Sequence, residues 1–141
     1  LHRVPFFGWG LALLRMIPID RSRGRDAFDE VARLGQVRLD EGRWPLLFPE
    51  GTRVPPGQTA RFKTGGARLA TVTGAPVIPI ALNAGECWRR NAFVKRPGLI
   101  TVSIGPAIES KGLSVEALNT RVQAWIDAEM RVLNPERYGK D

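Results

Sequence analysis

Residues 44–53 read WPLLFPEGTR, and this stretch decides how the rest of the chain is interpreted. The apolar run at 46–48 is typical of a buried strand, and Pro49 followed by Gly51 stops that strand abruptly. Glycine lets a ligand approach the backbone closely, and the guanidinium of Arg53 presents a planar fork of donors that suits phosphate. Because ligands of open α/β sheets bind beyond the carboxyl ends of strands, we expect a phosphate site in this loop.

The same residues also allow a plainer interpretation. Glu50 stands three residues before Arg53, where its carboxylate can hold the guanidinium in one orientation. An ordinary surface turn would carry the same Glu–Arg pair, and exposed pairs of this kind contribute little to stability. Taken alone, the stretch leaves both a phosphate-binding loop and a solvated turn open.

The hexapeptide at 48–53 is identical to the F-P-E-G-T-R block of the lysophosphatidic acid acyltransferase family, the 1-acylglycerol-3-phosphate acyltransferases. Further stretches resemble the family's other blocks in the same order: PFFGW at 5–9, IDR at 19–21, FKTGGA at 62–67 and VIPIAL at 77–82. The resemblance covers most of the chain, from about residue 5 to residue 104. Several blocks in register are a much more specific signal than one hexapeptide.

The resemblance implies that these blocks bind the phosphate of an acceptor lipid, with Arg53 as the principal ligand. It predicts a set of substrate-binding residues: Arg21, Glu50, Gly51, Thr52, Arg53 and Lys63. It implies no metal and no bound cofactor. By itself, Arg21 fits a solvated basic turn as well as a phosphate ligand, and Lys63 has an exposed lysine as its alternative interpretation.

The resemblance also implies a reaction, the transfer of a fatty acyl chain from acyl-ACP (acyl-carrier protein) or acyl-CoA to lysophosphatidic acid, which gives phosphatidic acid. The family's general base is a histidine oriented by an aspartate, with four residues between them. That pair is absent here, because the single histidine is His2 and Phe7 stands at the aspartate position. We therefore expect an N-terminally truncated chain without catalytic residues and inactive alone. The resemblance also implies that the enzyme acts at the cytoplasmic face of the inner membrane. It would be attached there peripherally or through the missing N-terminal segment.

Composition sets wider bounds on function. The 141 residues suffice for one core, and we expect a partial acyltransferase domain at 1–134 with a tail at 135–141. A net charge of +7 favours polyanions such as an anionic membrane surface, phosphorylated substrates or nucleic acid. No nucleic-acid motif is present, so no nucleic acid is expected as a partner, although a small basic nucleic-acid-binding module stays an alternative. A second alternative is a non-catalytic remnant that binds lipid or phosphate.

The periodicity of the chain favours an α/β fold with a mainly parallel sheet flanked by helices, by resemblance the glycerolipid acyltransferase fold without its N-terminal portion. The expected elements are a connector at 6–15, a strand at 16–19, an amphipathic helix at 26–41, a strand leading into the loop at 48–53, a helix at 65–73, strands at 77–82 and 99–104, and a final helix capped by Ser114 and stopped at Asn134-Pro135. We expect the residues after that helix to be frayed.

Residues 87–96 read CWRRNAFVKR and mix aromatic with basic side chains. Such a mixture suits a lipid headgroup interface, where rings lie at the boundary and cations meet anionic lipid. It would also suit single-stranded nucleic acid or a plain cationic surface loop.

Overall fold

The computed structural model describes residues 6, 9–10, 13–14, 16–17 and 25–139. The chain divides into two compact units, Leu1–Pro45 and Leu46–Asp141. Its elements are α1 (Arg25–Asp40), α2 (Gly65–Thr73), β1 (Ile80–Leu82), a 3₁₀ turn (Ala84–Glu86), β2 (Val102–Ile104), α3 (Val115–Leu133) and α4 (Pro135–Tyr138). The predicted connector at 6–15 and strand at 16–19 lie partly outside the described residues, and Arg21 lies wholly outside them.

The amphipathic helix of the first unit is confirmed as α1, whose inner face buries Val31. Gly42 ends it with a φ of 71°, a conformation that glycine adopts without steric cost. The N–H of Arg43 then donates to the carbonyl of Arg38 at 2.8 Å, which satisfies one of the last helical carbonyls.

In the second unit, the core lies where α2 packs against α3. Ala67 and Ala70 of α2 are buried against Leu118 of α3, whose exposed fraction is 0%. The predicted helix at 65–73 is confirmed with the same bounds. Its small residues let the two helices approach closely, and partly buried apolar side chains complete the cluster: Val77, Ile108, Leu113, Val115 and Val122.

The predicted mainly parallel sheet is not what the described residues form. Their sheet has two strands, β1 and β2, which pair antiparallel with Ala81 opposite Ser103. A parallel pair needs a crossover connection, usually a helix, whereas residues 83–101 hold only the 3₁₀ turn and so return the chain antiparallel. An isolated bridge between Val77 and Ile108 continues the antiparallel pairing beyond the two strands.

Among the residues that the structure describes, only one face of this sheet is covered. Ala81 is buried on the face toward α3, where the Ser103 hydroxyl donates to Glu129 Oε1 at 2.7 Å. Side chains of the opposite face, Leu82, Val102 and Ile104, are exposed. The predicted strand at 46–48 is extended but pairs with no strand among the residues that the structure describes, and Leu46, Leu47 and Phe48 are exposed. The burial predicted for the run at 46–48 is therefore wrong, because an apolar segment is buried only where a neighbouring element covers it.

The C-terminal helix α3 begins as predicted, with the Ser114 hydroxyl accepting from the N–H of Ala117 at 3.1 Å. It ends at Asn134, but the chain then forms α4 and not a frayed tail. The reason is specific contact: Glu86 accepts a hydrogen bond from Asn134 Nδ2 at 2.9 Å and forms an ion pair with Arg137 at 3.4 Å. Among the described helices, none is both long enough and apolar enough to cross a bilayer.

Candidate phosphate-binding site

The site is built on a tight turn at the end of the extended stretch. The N–H of Gly51 donates to the carbonyl of Phe48 at 3.0 Å, so Pro49 and Glu50 occupy the centre of a four-residue turn. Proline at the second position and glycine at the fourth suit such a turn. Gly51 has a φ of 66°, in the left-handed region where a side chain would be strained. The sequence thus fixes the path of the chain into Thr52 and Arg53.

Lys63 lies directly against this turn, although eleven residues of sequence separate it from Gly51. Its N–H donates to the carbonyl of Pro49 at 2.8 Å, which ties its backbone to the turn. Its side chain then crosses Gly51, since a Cβ placed on that glycine would lie 2.9 Å from the Cδ, Cε and Nζ atoms of Lys63. Two of the predicted site residues are therefore in contact, and the absence of a side chain at 51 makes room for the ammonium.

Helix α3 holds the segment that carries Lys63. Gln123 Oε1 accepts from the N–H of Phe62 at 3.1 Å, and Gln123 Nε2 donates to the carbonyl of Ala60 at 3.4 Å. Asn119 Nδ2 donates to the carbonyl of Phe62 at 3.3 Å. The ring of Phe62 is only 5% exposed and anchors the segment between these two amides. We call Asn119 and Gln123 the amide clamp.

The amide clamp was not predicted from the sequence. Its signal is two carboxamides four residues apart, and therefore on one face of a helix, bordering the apolar stripe that includes Leu118 and Val122. That pattern indicates a polar contact on the inner side of the helix. It does not reveal the partner, which lies about sixty residues earlier.

The remaining predicted residues are placed differently. Thr52 and Arg53 are exposed, and within the described chain their backbone N–H groups donate to no acceptor. The expected pairing is wrong, because no ion pair or hydrogen bond joins Glu50 to Arg53 in that part of the chain. Within the described residues, the turn sets the backbone path into Arg53, and no carboxylate holds its guanidinium. Arg21 lies outside the described residues.

The charge around the turn is uniformly positive in sequence. Residues 51–85 contain Arg53, Arg61, Lys63 and Arg68 and no aspartate or glutamate. Helix α2 begins two residues after Lys63, and its first residues are Gly65 and Gly66. A helix N-terminus, backbone N–H groups and two adjacent cations together favour an oxyanion.

Comparison with known proteins places the chain in a family. The profile of the Acyltransferase family matches residues 1–83, a segment that includes the turn and Lys63. A 1-acyl-sn-glycerol-3-phosphate acyltransferase of Pseudomonas aeruginosa is 47% identical over 135 residues, which is 94% of this chain and 52% of that protein. The chain belongs to the 1-acyl-sn-glycerol-3-phosphate acyltransferase family. The resemblance inferred from the sequence blocks is confirmed.

Two more distant relatives support the same family. A 1-acyl-sn-glycerol-3-phosphate acyltransferase of Cocos nucifera is 30% identical over 84% of this chain and 39% of its own length. The crystal structure of the 1-acyl-sn-glycerophosphate (LPA) acyltransferase of Thermotoga maritima superposes with a TM-score of 0.80 at 26% identity, over 95% of this chain and 54% of that one. The chain thus has the fold of this acyltransferase, and it spans about half the length of the relatives named here.

Proposed function

We propose that this chain forms the acceptor-binding part of an enzyme that acylates lysophosphatidic acid to phosphatidic acid. The observation that carries the proposal is the side chain of Lys63 lying across Gly51, two residues before Arg53. The contact puts an ammonium group against the turn that leads into Arg53, next to the backbone N–H groups of Thr52 and Arg53, which donate to no acceptor among the described residues. A phosphate monoester is the acceptor group that this arrangement fits best.

In the proposed reaction, the free hydroxyl of the acceptor attacks the thioester carbonyl of acyl-ACP or acyl-CoA. An ester C–O bond forms, the C–S bond breaks, and the hydroxyl proton passes through a general base to the departing thiol. Arg53 and Lys63 hold the acceptor phosphate, while Glu50, Gly51 and Thr52 form the turn. Fixing the phosphate also fixes the hydroxyl, so these residues act through positioning. The base is the family's histidine–aspartate pair, which residues 1–141 do not contain.

The partners follow from the same proposal. The donor is acyl-ACP or acyl-CoA, the acceptor is lysophosphatidic acid, and Arg21, in the matched stretch at 19–21, is a further phosphate ligand. The place of action is the cytoplasmic face of the inner membrane, where the acceptor lipid lies. The net charge of +7 supports an anionic membrane surface over a neutral one.

Binding of the acceptor tests the proposal without requiring turnover. The chain is titrated with a short-chain lysophosphatidic acid below its micelle concentration and with the monoacylglycerol of the same chain length. We expect the lysophosphatidic acid to bind at least about tenfold more tightly, because one charge-assisted hydrogen bond contributes about 1.5–3 kcal/mol. Inorganic phosphate should compete. Equal affinity for the two lipids would overturn the proposal.

A further inference from the structure

Residues 87–96, which we call the basic-aromatic loop, form a closed structure. The N–H of Arg96 donates to the carbonyl of Cys87 at 2.8 Å and joins the two ends of the loop. Inside it, the N–H of Ala92 donates to the carbonyl of Arg89 at 3.1 Å, and the indole N–H of Trp88 donates to the carbonyl of Ala92 at 3.0 Å. These bonds fix which side chains the loop presents outward.

Two adjacent apolar side chains of the loop, Phe93 and Val94, are exposed to water, and we call this pair the tip. The ring of Phe93 is 100% exposed, and the next residue, Val94, is 72% exposed. Trp88 is exposed at the base of the same loop. Single exposed apolar residues are common on surfaces, but adjacent ones at the tip of a hydrogen-bonded loop present a compact apolar point.

Four cationic residues of the loop flank the tip in sequence. Arg89, Arg90, Lys95 and Arg96 are all exposed, and the loop contains no acidic residue. Lys95 Nζ lies 4.4 Å from the centroid of the Trp88 ring. This cation–π contact holds the Lys95 charge beside the indole. The adjacent carboxylate of Glu86 is engaged by Asn134 and Arg137, so its charge is partly neutralised.

A shallow cavity of about 370 Å³ opens on the loop. Its lining residues are Glu86, Cys87, Arg89, Ala92, Val94 and Arg96. Two of these residues, Arg89 and Arg96, carry guanidinium groups that can bind a phosphodiester. When the tip enters the acyl region of a membrane, the cavity beside it lies at the level of the lipid headgroups.

We propose that the basic-aromatic loop is a membrane-contacting element, with Phe93 and Val94 entering the headgroup–acyl boundary and its four cations binding anionic headgroups. The inference deepens the proposed function, on which it rests for the presence of a lipid substrate. Charge and apolar tip together fit a bilayer better than single-stranded nucleic acid. Nucleic acid needs aromatic faces on which successive bases stack, whereas the Trp88 ring already carries Lys95 and Phe93 is the other ring of the loop.

Vesicle sedimentation of the whole chain tests this proposal separately from acceptor binding. The vesicles contain phosphatidylcholine with one third phosphatidylglycerol and no lysophosphatidic acid. Removing two loop cations with Arg89→Gln/Arg90→Gln should lower partitioning about fivefold for each cation. The matched control Arg121→Gln/Arg131→Gln removes two exposed charges from α3 and should change partitioning much less. Equal losses in the two variants would show that only net charge matters and would overturn the proposal.

The apolar tip is tested in the same assay. Phe93→Ser should lower partitioning roughly tenfold, because the ring loses its burial in lipid. Val132→Ser, at a position 71% exposed on α3, is the matched control and should have no effect. Both sites are exposed, so the fold is kept, and circular dichroism checks this. An unchanged partition coefficient for Phe93→Ser would overturn the insertion of the tip.

A fluorescent label reports the location of the tip directly. Cys87 is the single cysteine of the chain, so Cys87→Ser/Phe93→Cys carries an environment-sensitive dye at one position. Addition of the anionic vesicles should shift its emission to the blue, while the same dye on Cys87→Ser/Val132→Cys should not shift. If the dye at position 93 stays in water while the protein sediments, the proposal is wrong. Tighter binding to a single-stranded oligonucleotide than to vesicles would also overturn it.

Discussion

At the scale of single residues, the site depends on which atoms surround the turn at 48–51. Arg53 follows that turn, and its side chain is exposed. We expect it to bind a ligand through the geometry of its guanidinium group. A fork of N–H groups can engage two phosphate oxygens at once, which an ammonium group cannot do. Lys63 adds a positive charge against the same turn, where its N–H is bonded to the carbonyl of Pro49.

Replacing Arg53 separates geometry from charge. We expect Arg53→Lys to bind lysophosphatidic acid more weakly than the natural chain, and Arg53→Ala more weakly still. Loss of one or two charge-assisted bonds predicts an affinity roughly tenfold to a few thousandfold lower for the alanine variant. Titration with lysophosphatidic acid and with monoacylglycerol measures both effects, and Arg61→Ala is the control, since it removes another exposed arginine of the same segment. Equal fractional losses on the two lipids would show that Arg53 is structural.

Gly51→Ala tests the contact with Lys63. The new Cβ would lie 2.9 Å from the end of the Lys63 side chain, and that flexible end would move away from the turn. The positive φ of Gly51 adds strain of about 1–2 kcal/mol. We expect both lower stability and weaker phosphate binding. Gly112→Ala, with a φ of 78° and no atom near its Cβ, should lower stability similarly and leave binding unchanged.

A double-mutant cycle decides whether Gly51 acts through Lys63. In the Lys63→Ala background, Gly51→Ala should cost little further affinity, because the displaced ammonium is already gone. If the two losses simply add, the glycine serves only the backbone and the contact has no role in binding.

At the scale of elements, α3 connects the core of the second unit with the site. Leu118 fills the core while the amide clamp, on the same helix, holds the segment before Lys63. A helix that is fixed by buried apolar contacts can therefore fix a backbone that carries a ligand-binding side chain.

Gln123→Ala should weaken both the fold and the site. It removes two hydrogen bonds to residues 60–62, worth about 0.5–1.5 kcal/mol each, and leaves the N–H of Phe62 without its acceptor. Urea unfolding measures the stability, and titration with lysophosphatidic acid measures the site. Arg121→Ala on the exposed side of α3 should change neither quantity. Unchanged affinity in a destabilised Gln123→Ala variant would show that the amide clamp does not position Lys63.

The elements also show what sequence could and could not predict. Helices α1, α2 and α3 follow from local periodicity and caps such as Gly42 and Ser114, and their predicted positions agree with the structure. The turn before Arg53 is likewise local. The pairing of β1 with β2 and the contact of Gln123 with Phe62 join residues far apart in sequence. No local pattern determines such partners, so the sheet direction was wrong and the amide clamp was missed.

At the scale of the whole molecule, the proposed phosphate site stands in a sequence without the family's histidine–aspartate pair. We expect residues 1–141, expressed alone, to make no phosphatidic acid from lysophosphatidic acid and acyl-CoA or acyl-ACP. Loss of general acid–base catalysis alone typically costs about 10²–10⁴-fold in rate. The assay uses radiolabelled donor with the Pseudomonas aeruginosa relative as the positive control. Robust synthesis by the chain alone would require a base other than a histidine–aspartate pair.

The uncovered face of β1 and β2 has a consequence for thermal unfolding. Unfolding raises the heat capacity because apolar groups become hydrated, by about 12–15 cal/mol/K per residue in ordinary globular domains. Here Leu82, Val102 and Ile104, like Leu46 and Phe48, are hydrated before unfolding starts. Calorimetry should therefore give a heat-capacity increment clearly below that range, and stability should vary little with temperature. An increment within the ordinary range would mean that these side chains are covered in solution, by a second copy of the chain or by another part of the same one.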